Sequence, residues 1–483
     1  MRTRLPAAFA VSTILVLFSS GYASAGVAPG GVPSGGPPPA GVVSATPASE
    51  TPQLNATGST EQIRQLVQCG GTMYAVGSFT SIKRESTTYT RDNIVSFSAT
   101  SPYKLTSLAA DVVGNEGTTS GNSDAINSIA FNGSNCADAY IGGDFTSVNG
   151  TSVKNIAEID TTTGNVVSTF RSSASAPVQT LLGVNGHILA GGGFKTINGS
   201  SADPYMASLN PVTGKDDGFV HLSISGNYQF PGVSSNGTKV FNQQLSHGGT
   251  LDLVEGDFTS VGGQARQQIF MLNVAGSSAT VTGWTSPQWD GSQGEQLPGG
   301  TSGYPYECAT VEPFYIQAAA WSPDDSTVYI GTTGYHPNGW PTGQTPRTGL
   351  CDAAAAFPAT QGTVTAEWIN YLGCDSLYSA AADANSAYFG GHERFSDNPN
   401  DCDALGSPGY NAPGMEGLSP SDGHTYLNSA GTAGYYSRAR GLGADDMLVT
   451  SAGLWIASDN LNGSTSCGGV GGHAGICLLP YSG

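Results

Sequence analysis

The apolar positions of this chain fall into short, recurring runs. "MYAVGSF" (73–79), "AYIGGDF" (139–145), "ILAGGGF" (188–194) and "LDLVEGDF" (251–258) each pair a bulky strand with glycine and a closing Phe. "VYIGTTG", "AYFGGHERF" and "LWIASDN" are looser copies further along. Aligning the bulky residue gives Tyr74, Tyr140, Leu189, Leu253, Tyr329, Tyr388 and Trp455, about 64 residues apart on average. Upstream of each copy lies a strand of small and apolar residues with a turn, as in "INSIAFNGSN", "VQTLLGVNG", "IQAAAWSPDDS" and "LYSAAADANS". Downstream lie a third strand, a turn and a fourth strand, clearest in "NIAEIDTTTGNVVSTF" (155–170). Seven units of four strands predict an all-β fold, a seven-bladed β-propeller over 41–483.

The physics supports that pattern. One four-stranded sheet cannot bury both faces alone, but radial packing lets each face cover its neighbour. The recurring Phe79, Phe145, Phe194 and Phe258 are expected between sheets. The paired glycines are expected to allow a positive φ and a close backbone approach. Asp144 and Asp257 are expected to be turn residues bonding their own backbone. The last unit lacks a fourth strand, and "GVVSATP" (41–47) is expected to supply it and close the ring, since an open ring would leave two edges.

Composition agrees. The chain has 68 glycines and only 11% charged residues, too few Glu, Lys and Arg to cover helix surfaces. Asn-Gly turns recur at Asn132, Asn149, Asn198, Asn236 and Asn462.

Residues 1–25 read as a signal peptide: Arg2 and Arg4, an apolar run over 5–18, and a small-residue cleavage site at 23–25. Residues 26–40 are rich in Pro and Gly and read as a linker. The expected location is therefore secreted. No membrane insertion is expected, because no second long apolar run follows. The formal charge is −19, and −21 once the two leader arginines are removed. So acidic a chain is repelled by phosphate, which argues against nucleic acid as a partner. A monomer is expected.

Eight cysteines in a secreted chain predict disulfides, and no CxxC pair suggests zinc. Sequence proximity favours Cys467–Cys477, then Cys374–Cys402 and Cys308–Cys351, leaving Cys69–Cys136.

"YIGGDFTSVNGTSVKNIAEIDTTTGNVVSTF" (140–170) resembles the delta-sixty-type propeller repeat of secreted bacterial proteins, often actinobacterial. The resemblance is strong over 140–170 and 189–219, and fair over 74–108 and 253–284. Later units depart from it. It implies the fold and no settled activity. "AEIDTTTGNVVSTF" also resembles the docking repeat of quinoprotein dehydrogenases, which locks blades together and does not bind the quinone. Adjacent cysteines, common at that cofactor, are absent. No cofactor is expected.

GxSxG, HExxH and P-loop signatures are absent. "GVGGHA" (469–474) formally fits GxGxxA but precedes a strand-like run, so it reads as a turn. Calcium at Asp144, Asp257, Asp324 and Asp325 is weakly supported, because no spaced Asp loop is present. The distinctive stretches are "GYHPNGWPTGQTPR" (334–347) and "GGHERFSDNPNDCD" (390–403), insertions after the same strand of neighbouring units. They carry His336, Trp340, Arg347, His392, Glu393, Arg394 and Phe395. His336, Trp340, His392, Glu393 and Arg394 are the candidate ligand-binding set, an aromatic plate with polar groups suited to a glycan. The bland alternative is that His392 and Arg394 only pin an irregular loop. The expected function is a non-enzymatic extracellular module binding a glycan or a surface protein. The alternative is a polysaccharide lyase or hydrolase using His392, Glu393 and Arg394.

Overall fold

The computed structural model describes residues 35–55, 61–114, 125–228, 237–289, 316–333, 350, 352–373, 376–399, 404–437, 443–460 and 473–481. Every regular element among them is a β-strand. The sheets run up and down, and all strand pairs within them are antiparallel. The seven aligned residues from Tyr74 to Trp455 each lie in the second strand of a sheet.

Seven of the sheets begin with a strand on the inner side. These are Gln62–Cys69, Ala125–Ala130, Val178–Val184, Lys239–Leu245, Ile316–Trp321, Leu377–Ala382 and Asp446–Thr450. Each contacts the next in that order, and Asp446–Thr450 contacts Gln62–Cys69. The arrangement is β-propeller-like.

Third strands such as Ile156–Asp160 and Met206–Leu209 are almost wholly buried, as sheets covered on both faces require. The covering is apolar. Tyr74, Val76 and Ile94 meet Ile126, Ile129 and Ile141 across one boundary, with Phe145 between them. Similar clusters hold Phe194 and Phe258 at the next two boundaries. Trp455, Ile476 and Leu478 of the last sheet join Ile63, Met73 and Phe79 of the first.

The residue leading into the third strand has a positive φ in all seven units: Asn93, Asn155, Tyr205, Gln268, Asp352, Gly414 and Gly475. In the first four its N–H donates to the carbonyl of the recurring Phe, at 2.8–3.0 Å. The Phe therefore anchors the backbone as well as the core. After Phe145 the chain turns a small hairpin, Ser147–Val148 with Thr151–Ser152, at Asn149–Gly150. Both turn residues have positive φ, as a two-residue hairpin of this type needs.

The N-terminal segment lies along the last sheet. Val43 bridges Tyr481, and Ser44 N–H donates to Pro480 at 2.7 Å. Ala48 N–H donates to Leu478 at 2.9 Å, and the Tyr436 hydroxyl donates to the Val43 carbonyl at 2.8 Å. Gln53–Leu54 then pairs with Ser81–Arg84 of the first unit. Within the stretch read as a linker, the Gly36 carbonyl accepts from Leu427 at 2.8 Å.

Cys69 and Cys136 form a disulfide between the first two units, with Cα atoms 5.7 Å apart. Cys477 is disulfide-bonded as well. Cys308, Cys351, Cys374, Cys402 and Cys467 lie outside the described residues.

Candidate binding site

The paired glycines of the repeat place the site. Gly142 and Gly143 do not adopt a positive φ, contrary to that part of the expectation; they serve close approach instead. A Cβ on Gly143 would sit 2.1 Å from the Ala125 carbonyl oxygen, and one on Gly142 would sit 2.6 Å from Val178 Cγ1. The first glycine admits the neighbouring sheet. The second admits a distortion in its own sheet.

That distortion is a β-bulge. The register slips between Ile126 and Ser128, so Asn127 has no partner residue in the ladder. The same slip recurs at Ile63/Gln65, Val178/Thr180, Val240/Asn242, Ile316/Ala318 and Leu377/Ser379. The six extra residues are Arg64, Asn127, Gln179, Phe241, Gln317 and Tyr378. All six line one cavity of about 310 Å3, and Asp445 and Asp446 complete its wall. Gln65, Ser128, Thr180, Asn242 and Gln244 stand beside them.

Hydrogen bonds hold this wall. Arg64 donates to Asn127 Oδ1, and Asn127 Nδ2 donates to the Val178 carbonyl at 2.9 Å. Gln62 Nε2 donates to Asp445 Oδ2 at 2.5 Å, and Leu66 N–H donates to Asp446 Oδ2 at 2.8 Å. Ser128 Oγ accepts from Leu181 N–H at 2.9 Å, and Gln65 Oε1 from Ile129 N–H at 2.7 Å.

The electrostatics follow from burial. Desolvation pushes Asp445 up to about 8, against the pull of the Gln62 bond and the Arg64 charge. It pushes Asp446 up to about 7, against the N–H groups of Leu66 and Met447. It lowers the pKa of Arg64, which Asp445 and Asp144 oppose. Glu255, buried next to Asn242, rises to about 8 for the same reason.

One reading of the repeat's acids is corrected here. Asp257 is wholly buried and accepts from Tyr228 N–H at 2.6 Å, so it does not cap its own turn. Asp144 lies in the field of Arg64 across a sheet boundary. Asp324 behaves as a turn acid, whereas Asp325 bonds the backbone of the preceding unit. Asp324 accepts from Ser322 and Ser326, and Asp325 from His247 and Gly248. Among the described residues no three His, Cys, Asp or Glu groups converge on a metal position.

Of the residues singled out from the insertions, His336, Trp340 and Arg347 lie outside the described residues. His392 packs against Tyr378, one of the cavity residues. Its ring meets Tyr378 edge-on, with centroids 5.5 Å apart, and its N–H donates to the Ser376 carbonyl at 2.8 Å. Glu393 is fully buried, and its charge helps hold Glu416 far above the usual carboxylate range, behind the dominant effect of burial. Arg394 is half-buried and its carbonyl accepts from Ala412 N–H at 3.0 Å. The structure therefore sets His392 against Tyr378, outside the cavity lining, and sets Glu393 into the interior.

The cavity ring was missed from sequence, although its signal was present. "INSIAF", "VQTLLG", "IQAAAW" and "LYSAAA" each carry a polar or aromatic residue at the second position of a small, apolar strand. That position is the bulge.

No protein-family model matches the chain, and no curated protein matches it. Among solved structures it is similar to the WD40 β-propeller domain of Doa1, with a TM-score of 0.40 and 11% identity over 84% of this chain and 94% of that one. U3-55K matches with a TM-score of 0.45 and 10% identity over 90% and 99% of the two chains. Saccharomyces cerevisiae Sqt1 matches with a TM-score of 0.45 and 9% identity over 90% and 98%.

Proposed function

We propose that this chain is a secreted, non-catalytic binding module. Its fold is read as a seven-bladed propeller, closed where residues 43–48 bond along Ile476–Pro480. Seven inner strands in cyclic contact support that count. The apolar cluster joining the last sheet to the first supports closure. The leader-like segment supports secretion, and the Cys69–Cys136 disulfide suits an oxidising compartment.

One observation carries the binding reading. Six repeats of one bulge aim six side chains, of five residue types, at a single cavity. A scaffold needs no such variety. Convergent polar groups beside two aromatics in a concave site can orient a polar ligand. The ligand is an extracellular glycan or a surface protein.

The test is depletion of the secreted chain by a panel of insoluble polysaccharides and intact cell surfaces, with released sugar measured in parallel. Binding without release, lost when Gln317 and Tyr378 are both changed to Ala, is the expected result. Released sugar overturns the reading in favour of a lyase or hydrolase. Binding that survives the double change moves the site away from the cavity.

A further inference from the structure

We propose that the cavity holds a single neutral saccharide residue, stacked on Tyr378 and hydrogen-bonded by the amides of Gln179 and Gln317. This rests on the reading of the cavity as the binding site and names the ligand class it takes.

The lining chemistry selects this class. Amides dominate the wall, and an amide both donates and accepts, as a sugar hydroxyl does. The charges are already engaged inside the protein. Arg64 bonds Asn127 and faces Asp445 and Asp144. Asp445 and Asp446 are held by Gln62 and Leu66. Burial keeps both carboxyls protonated to near neutral pH, so they add little charge there.

The two aromatics are not equivalent. Lys239 Nζ stands over the face of Phe241, 5.2 Å from its centroid. His392 instead meets Tyr378 edge-on, at an interplanar angle of 61°. Because Lys239 already occupies Phe241, Tyr378 is assigned as the platform for the C–H face of a pyranose. Size agrees: about 310 Å3 lies at the small end of ligand pockets. One sugar ring, or the end of a chain, fits such a volume.

Titration calorimetry of the secreted chain against free sugars tests the proposal. The panel holds neutral mono- and disaccharides, uronic acids and hexosamines. At least one neutral sugar should bind. Tyr378→Ala should weaken it at least about tenfold and Tyr378→Phe much less, with unchanged melting as the control for folding. Gln179→Ala should weaken it independently. Binding confined to uronic acids or to hexosamines overturns the proposal, as does neutral-sugar binding indifferent to Tyr378→Ala. If no free sugar binds but depletion by surfaces still depends on Gln317 and Tyr378, the saccharide class is wrong and the binding-module reading stands. If depletion also fails, both are wrong.

Discussion

The boundaries between sheets and the inner cavity are built from the same repeat but obey opposite rules. At the boundaries the repeat writes the same side chain each time: Phe79, Phe145, Phe194 and Phe258 all stand fully or almost fully buried. At the bulge it writes the same backbone distortion but an Arg, an Asn, two Gln, a Phe and a Tyr. Close packing explains the first rule, since a filled interface tolerates little change in shape. The second has no packing reason. In a repeat protein, then, constancy marks scaffold, and variation at geometrically equivalent positions marks the site.

The sharpest way to break this comparison is at the join between the ends of the chain. Deleting residues 41–50 removes the bonds to Leu478, Pro480 and Tyr436. The expected outcome is loss of cooperative thermal unfolding. Unchanged cooperative melting would show that the segment is decoration.

Next in size is a direct contrast between the two regions. Phe145→Ala should cost about 4 kcal/mol, from lost burial and the cavity left behind. Gln317→Ala, at the bulge, should cost less than about 0.5 kcal/mol. Denaturant midpoints of the two variants check this. Similar costs would erase the distinction between scaffold and site.

A third effect concerns pH. Asp445, Asp446 and Glu255 titrate at about 7 to 8 in the folded protein but near 4 when unfolded. The folded state holds these protons more tightly, so stability falls as pH rises from about 4 to about 8. His424 acts in the same direction, because its bond to Asp397 raises its pKa and loses its charge assistance on deprotonation. The melting temperature should be a few degrees higher at pH 5.5 than at pH 8. Below pH 4 the trend should reverse, as Asp324, held at about 2 by its bonds to Ser322 and Ser326, takes up its proton. A Glu255→Gln variant should flatten the slope between pH 5.5 and 8. An increase in melting temperature with pH would contradict the buried, protonated state of these acids.

Much of the scaffold was legible because its causes are local or periodic. The spacing of Tyr74, Tyr140, Leu189, Leu253, Tyr329, Tyr388 and Trp455 located seven second strands, since each strand must present a bulky residue to the same kind of interface. Asn149–Gly150 named its own turn, because few other pairs accept two positive φ angles. Less of the site was legible. The insertions drew attention to His392, Glu393 and Arg394 by their chemistry, but burial decided between them. Glu393 is sealed in the interior beside Glu416, and no local pattern in "GGHERF" separates it from its exposed-looking neighbours.

By itself the sequence determined the strand repeat, the recurring Phe and the closely packed glycines, all set by the short-range sterics of one sheet against the next. Only the tertiary structure decided what the glycines are for. Gly143 leaves room for a bulge in a strand about 15 residues earlier, and that bulge turns Asn127 inward. Residues from Arg64 to Asp446 share one cavity because radial packing brings the starts of inner strands together across almost 400 residues of chain. Convergence over that distance comes from inner strands that contact one another in turn, and no single repeat contains it.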